Sequence, residues 1–125
     1  MGRYLIFSTS TEFVRIPPDT LVYIEADGNY SSLKMADGGV YMLTLQLGQI
    51  EKRLAGMSET NDNVFIRIGK SLIVNYRYIT FINPSRQRLI LSDCQTFRYE
   101  LSASREALKT LKDFFEKQTS NEKKA

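Results

Sequence analysis

Residues 23–35, YIEADGNYSSLKM, decide the fold. Strand-forming Tyr, Ile, Leu and Met flank Asp27-Gly28. Asp-Gly between two such runs predicts a tight hairpin turn, because glycine accepts the positive φ that a short turn demands. The side chains around it are Glu25, Asp27, Asn29, Tyr30, Ser31 and Ser32. So many hydrogen-bonding groups exceed what reversing a chain requires, and the tip becomes a candidate contact surface as well as a turn.

Working outward, LVYIEA (21–26), YSSLKM (30–35) and VYML (40–43) read as three strands, with a second turn signal at Asp37-Gly38-Gly39. Short strands at this spacing predict an antiparallel meander. Upstream lie YLIFS (4–8) and FVRI (13–16), cut off by Pro17-Pro18-Asp19, since proline lacks the ladder donor and fixes φ. Downstream the period changes. In LQLGQIEKRLA (45–55), Leu47, Ile50 and Leu54 fall three and four apart on one helical face, and Gly56 is placed to cap the helix end. A polar loop, MSETNDN (57–63), precedes FIRI (65–68), LIV (72–74), YITFI (78–82), RLIL (88–91) and TFRYEL (96–101). Asn83-Pro84-Ser85 and Ser92-Asp93-Cys94 supply turns. SREALKTLKDFFEK (104–117) predicts a closing helix capped by Ser104, with Ala107, Leu108, Leu111, Phe114 and Phe115 as its apolar stripe. The remainder from Thr119 reads as a frayed, flexible tail (about 119–125). The chain is one mainly β domain over 1–125, with its core at about 13–116, one short mid-chain helix and a C-terminal helix.

Composition narrows the function. A chain of 125 residues with 42% hydrophobic and 25% charged residues is an ordinary globular domain. No apolar run approaches the roughly 18 residues of a membrane span, and MGRYLIFSTSTEF turns polar too soon for a signal peptide. A single cysteine, Cys94, precludes an internal disulfide and suits a reducing, cytoplasmic setting; at its turn it reads as incidental. Histidine is absent, which argues against zinc sites and His-based acid–base chemistry, and no phosphate-loop or nucleophile-elbow motif occurs. No catalytic residue, metal or cofactor is expected. Charge is unevenly spread. Residues 1–64 carry 5 Lys/Arg against 8 Asp/Glu, whereas residues 65–112 carry 9 against 3. That asymmetry suits a face for a polyanion; the plainer alternative is solvated strand and helix faces.

Residues 65–79, FIRIGKSLIVNYRYI, hold the second informative tip. Gly69, Lys70 and Ser71 sit between two core-forming runs, and their donors suit phosphates or base edges. Taken alone, this reads first as a solvent-exposed turn with a solubilising lysine and only second as a contact site. The tyrosines read as strand and core aromatics, and Phe114 and Phe115 as the seal of the last helix or a dimer patch.

The ordered series IEADGNYS, FIRIGKSLIVN and LSASREALKTL resembles the LytTR DNA-binding domain of bacterial response regulators, whose members show "IxYIEAxGNYS"-like and "FxRIHRSxIVN"-like runs ahead of a Ser-Arg segment. The resemblance spans roughly residues 13–116. It implies an elongated antiparallel fold of small stacked sheets, with loops along one edge entering successive major grooves of duplex DNA. Carried over residue by residue, the contacts are Asn29, Tyr30 and Ser31 in the first hairpin, with Ser31 the position most often aimed at DNA. In the middle run they are Gly69, Lys70 and Ser71, and ahead of the last helix Ser102, Ser104 and Arg105. Gly69 stands where the family commonly has histidine. Either Ser102 or Ser104 answers to the family's serine; Ser104-Arg105 keeps ALKTL in register with the closing helix.

The resemblance implies a bacterial transcriptional regulator binding double-stranded DNA at a promoter, with paired direct repeats, two copies on one site and a separate inhibitory or signalling protein as further expectations. Only about a dozen residues precede the matching region, so no receiver domain is expected within this sequence, whether the protein stands alone or is part of a longer regulator. The rival reading is a non-enzymatic β protein-interaction module that keeps the fold without specific DNA binding; Gly69 keeps it open.

Overall fold

A computed structural model describes residues 4–57 and 63–124, with side chains as far as 119. The chain begins with an antiparallel ribbon, β1 (Leu5–Ser8) and β2 (Phe13–Ile16). After a 3-10 turn at Pro18–Thr20 the meander follows as β3 (Leu21–Asp27), β4 (Tyr30–Met35) and β5 (Val40–Leu43). Helix α1 (Leu47–Met57) comes next, then β6 (Phe65–Ile68) and β7 (Leu72–Asn75). A second 3-10 turn, Tyr76–Tyr78, leads to β8 (Ile79–Asn83), β9 (Arg88–Ser92) and β10 (Arg98–Ser102), and α2 (Arg105–Lys124) closes the chain. Every strand pair is antiparallel. Besides the ribbon there is a five-stranded sheet in the order β5-β4-β3-β7-β6 and a three-stranded sheet in the order β10-β9-β8. The mainly β class read from the residues, and the stacked antiparallel sheets that the resemblance implies, are the ones adopted.

The five-stranded sheet is covered on both faces, which explains why its central strands are almost continuously apolar. On one face Ile24, Leu33, Leu43, Phe65 and Ile73 pack against Leu47, Ile50 and Leu54 of α1 and against Leu5, Phe7, Val14 and Ile16 of the ribbon. On the other, Val22, Tyr23, Ile68, Leu72 and Val74 meet Leu89 and Leu91 of the three-stranded sheet and Leu108 and Leu111 of α2. Strict alternation cannot give β3 its burial, because the neighbours Val22 and Tyr23 serve the same core. A register shift between Leu21 and Tyr23 resolves this: the bulge takes up one residue and returns Ile24 to the first face.

Several element ends differ from the sequence expectation, each for a local reason. Gly56 does not cap α1; the helix runs on to Met57, and Gly56 has no left-handed φ. At the other end Gln46 N–H donates to Gln49 Oε1 (2.8 Å), a reach-back that satisfies the first turn. The loop expected after α1 lies largely outside the described residues. Tyr78 belongs to a 3-10 turn rather than to β8, because Asn75 Oδ1 accepts from Arg77 N–H (3.1 Å) and bends the chain. Thr96 and Phe97 fall before β10 because their N–H groups donate to Asp93 Oδ1. Ser104 caps α2 as expected, its Oγ accepting from Ala107 N–H (3.1 Å). The helix runs on through Thr119 to Lys124, beyond the 104–117 expected for it. Phe115 packs into the second core, whereas Phe114 lies at the edge of the stripe, 47% exposed.

Two polar ties hold the connection between β5 and α1. Ser31 on β4 is fully buried, and its hydroxyl donates to the carbonyl of Leu45 (2.7 Å). Glu12 at the ribbon turn accepts from the hydroxyls of Thr11, Thr44 and Thr9 and from Thr44 N–H. These bonds, the Thr11 hydroxyl foremost, pull the Glu12 carboxyl from 4.5 down to about 2. Asp93 is likewise held below the usual carboxylate range, mainly by the Thr96 hydroxyl.

Two outcomes are expected. Ser31→Ala leaves the Leu45 carbonyl without its donor and lowers the free energy of urea unfolding by about 1–2 kcal/mol. For Glu12 the folded-state pKa lies below the unfolded one, so its contribution is complete above about 4.5 and is lost as pH falls towards about 2. Urea midpoints followed by circular dichroism across that window should therefore fall less steeply for Glu12→Gln than for the wild type, with Asp93 supplying the slope common to both.

Candidate nucleic-acid interface

Antiparallel pairing brings sequence-distant tips to one end of the five-stranded sheet. β3 reaches that end at Asp27 and β4 leaves it at Tyr30; β7 starts there, with Leu72 opposite Glu25. One further backbone bond, Ala26 N–H to the Ser71 carbonyl (2.9 Å), ties the two tips together. The end of β5 and the start of α1 reach the same end, since Leu43 pairs with Ser31.

The first tip is a two-residue turn flanked by the pair Asp27 and Tyr30. Its central residues are therefore Gly28 and Asn29, one position later than the expected Asp27-Gly28. Gly28 at φ +64° with no positive φ at Asn29 matches a type II′ turn, which wants glycine at its first central position. Asn29 and Tyr30 are exposed, Tyr30 by 48%. Ser31 is not part of this surface. Its side chain points into the sheet and its hydroxyl is committed to Leu45, because strand alternation sends it to the face covered by α1. The position singled out as most aimed at DNA is thus a support beneath the tip.

The second tip, Gly69-Lys70-Ser71, joins Ile68 to its partner Leu72, and all three residues are exposed. Gly69 sits at φ +64° with nothing within 4 Å of where a Cβ would stand. A histidine side chain would find room there but would carry the strain of a left-handed backbone.

The third segment reaches the same end through the direction of α2. Ala107, in its first turn, lines a groove of about 370 Å³ together with Gly69 and Ile68. Two turns later Phe115 meets Tyr76, at the opposite end of β7, with ring centroids 6.3 Å apart. The helix therefore starts beside the second tip and runs away from it, leaving Ser104 and Arg105 exposed at that end. Ser104 is half-used as a cap, its oxygen accepting from Ala107 while its hydroxyl proton remains available. Ser102, exposed at the end of β10, pairs with Arg88. The nine singled-out residues thus divide into eight at the surface and one, Ser31, inside.

Two features escaped sequence reasoning. Arg67 alternates as a strand residue with one side outward, yet its guanidinium turns back to the carbonyls of Gly69 and Lys70. Gln87 adopts φ +55° in the β8–β9 turn and bonds Ala103 through both its carbonyl and its side-chain amide, fixing the segment ahead of α2. Periodicity carries no signal for either, since both contacts depend on the tertiary path. Charge at this end is mixed: Glu25 and Asp27 flank the first tip, Lys70 and Arg105 the others. No helix among the described residues is long and apolar enough to cross a membrane.

Comparison with known proteins bears on the fold and the family. The family model of the LytTr DNA-binding domain matches residues 11–116. A solved LytTr DNA-binding domain from Bacillus cereus superposes with a TM-score of 0.60 at 19% identity, over 90% of this chain and 95% of that one. A search of curated proteins finds no match. With a family model spanning most of its length and the same stacked-sheet fold, this chain belongs to the LytTR family of DNA-binding domains.

Proposed function

We propose that this domain binds double-stranded DNA sequence-selectively as a bacterial transcriptional regulator, with the three tips at one end of the sheet entering the major groove. The observation that carries the reading is the shared end itself. Asn29 and Tyr30, and Lys70 and Ser71, are exposed at one end of a doubly covered sheet, with Ser104 and Arg105 exposed where α2 starts beside it. Rigid presentation matters because base-edge hydrogen bonds discriminate only when their donors are held in place.

The roles divide by chemistry. Arg105 offers a planar fork for guanine O6 and N7, which is worth about 1–3 kcal/mol of discrimination. Lys70 is a mobile point charge better suited to phosphate. Asn29 has both donor and acceptor groups and stands next to Asp27, whose charge disfavours phosphate and leaves base edges as its target. Ser102 lies nearest the β8–β9 turn and is assigned to the backbone rather than to bases. Ser31 supports the first tip from beneath. Paired direct repeats would then recruit two copies, and a separate inhibitory protein could act on either.

Anisotropy titrations with the protein's own upstream region, at two salt concentrations and with competitor DNA, test the reading. The expected result is selective binding that weakens as salt is raised; binding that ignores both sequence and salt refutes it. Arg105→Ala should relax sequence preference by about ten-fold or more at one base position. Lys70→Ala should instead weaken all sequences alike and reduce the salt slope by about one. Wild-type-like binding by both variants, with folding intact by circular dichroism, would show that the contacts lie elsewhere.

A further inference from the structure

Arg67 lies on β6 opposite Ile73, on the face of the sheet covered by α1. Its guanidinium reaches the turn that follows its own strand. Nε donates to the carbonyl of Gly69 (3.2 Å) and Nη2 to that of Lys70 (3.0 Å). Nη1 donates to Glu51 Oε1 on α1 (2.9 Å). Three arms of one planar group thus hold two consecutive carbonyls of a surface turn and a carboxylate on the helix behind it.

The chemistry of that arrangement is specific to arginine. A fixed fork can engage diverging acceptors at once, which a lysine ammonium on a flexible stem cannot reproduce with the same geometry. The exposed ion pair with Glu51 contributes little to stability by itself. Its consequence is orientation: it turns the guanidinium towards α1 and the turn. The carbonyls of Gly69 and Lys70 belong to the peptide planes that carry the N–H groups of Lys70 and Ser71. Fixing those carbonyls therefore fixes where those donors point and where Ser71 leaves the turn. Gly69, left-handed and with open space around its Cα, supplies no steric restraint of its own.

We infer that Arg67 is a positioning residue for the middle contact turn, locking Gly69–Ser71 against α1 so that the turn's N–H donors and the Ser71 hydroxyl are held for base edges, without itself touching nucleic acid; Lys70, on its flexible stem, reaches its phosphate either way. This rests on the DNA-binding reading above and deepens it. A positive residue next to a DNA-facing turn would ordinarily be assigned to a phosphate. The two assignments differ in what salt does. A phosphate contact adds to the number of counterions released; a positioning residue does not.

Arg67→Lys and Arg67→Gln, with Glu51→Gln to cut only the helix anchor, separate the two in salt-dependent anisotropy titrations against the selected site and a scrambled duplex. For a positioning residue, both Arg67 variants should lower the ratio of specific to non-specific affinity by roughly ten-fold with the salt slope unchanged, and Glu51→Gln should lower it less. A salt slope reduced by about one in Arg67→Gln, whatever the ratio does, would overturn the inference in favour of a phosphate contact. An unchanged ratio would also overturn it. Amide NMR of the free protein supplies a readout independent of DNA: the Lys70 and Ser71 amides should shift and broaden in Arg67→Lys while those of β3 and β9 stay put. If the wild type shows no sequence selectivity, the DNA-binding reading fails. The clamp itself then stands or falls on those amide signals alone.

Discussion

The loop end of this domain depends on the pairing of β3 with β7, extended by the bond from Ala26 N–H to the Ser71 carbonyl. These strands are separated by about 45 residues that include three other strands and a helix, so the pairing is non-local and must offset a loop-closure cost. Burial supplies the offset. Ile24 and Ile73 are sealed on one face by α1 and the ribbon, Tyr23 and Val74 on the other by the three-stranded sheet and α2. Two hairpin tips meet because the strands beneath them are central and doubly covered. A one-sided sheet of the same strands would hold them far less firmly.

Much of the fold was legible because local signals and tertiary demands agree. LIV at 72–74 and LVYI at 21–24 are too apolar for a half-exposed strand, and both prove central. Asp37-Gly38-Gly39 and Ser104 announce a turn and a cap that exist, with Asp37 Oδ1 accepting from Gly39 N–H. The failures are equally local. Gly56 resembles a cap in composition, but a glycine stops a helix only where the backbone turns left-handed, and here it does not. Phe114 belongs to the apolar stripe by spacing, yet it is Phe115 that meets Tyr76, and Phe114 is left at the rim.

The candidate site was legible to a lesser degree, because the strand period gives the side of a residue but not how far that side is covered. Moving the turn by one position, from Asp27-Gly28 to Gly28-Asn29, slides the pairing by two residues, so Ser31 shares the face of Ile24 in either register; what was unread is that this face stays covered as far as Ser31. Residue type could not decide it, because a serine suits a surface as well as a buried bond to a carbonyl. Family resemblance could not decide it either, since it carries over positions without orientations. Arg67 and Gln87 were silent for a related reason: each acts on backbone atoms of a neighbouring segment, and such contacts leave no pattern in spacing or charge.

Charge bookkeeping along the sequence also overstated the positive face, and the correction bears on mechanism. Of the basic residues between 65 and 112, Arg67 pairs with Glu51, Arg88 and Arg98 share Glu100, and Lys112 pairs with Glu116. Lys70, Arg77, Arg86, Arg105 and Lys109 have no such partner among the described residues. Only Lys70 and Arg105 of these stand at the tips named above. An interface with so few free cations, and with Asp27 and Glu25 beside its first tip, gains limited affinity from phosphates. Discrimination must then come from held hydrogen-bonding groups, which puts the weight on whatever fixes the turns: the Ala26–Ser71 bond, the Ser31 anchor and the Arg67 fork. On the proposed DNA-binding reading, the frame beneath the tips matters to recognition as much as the side chains on them.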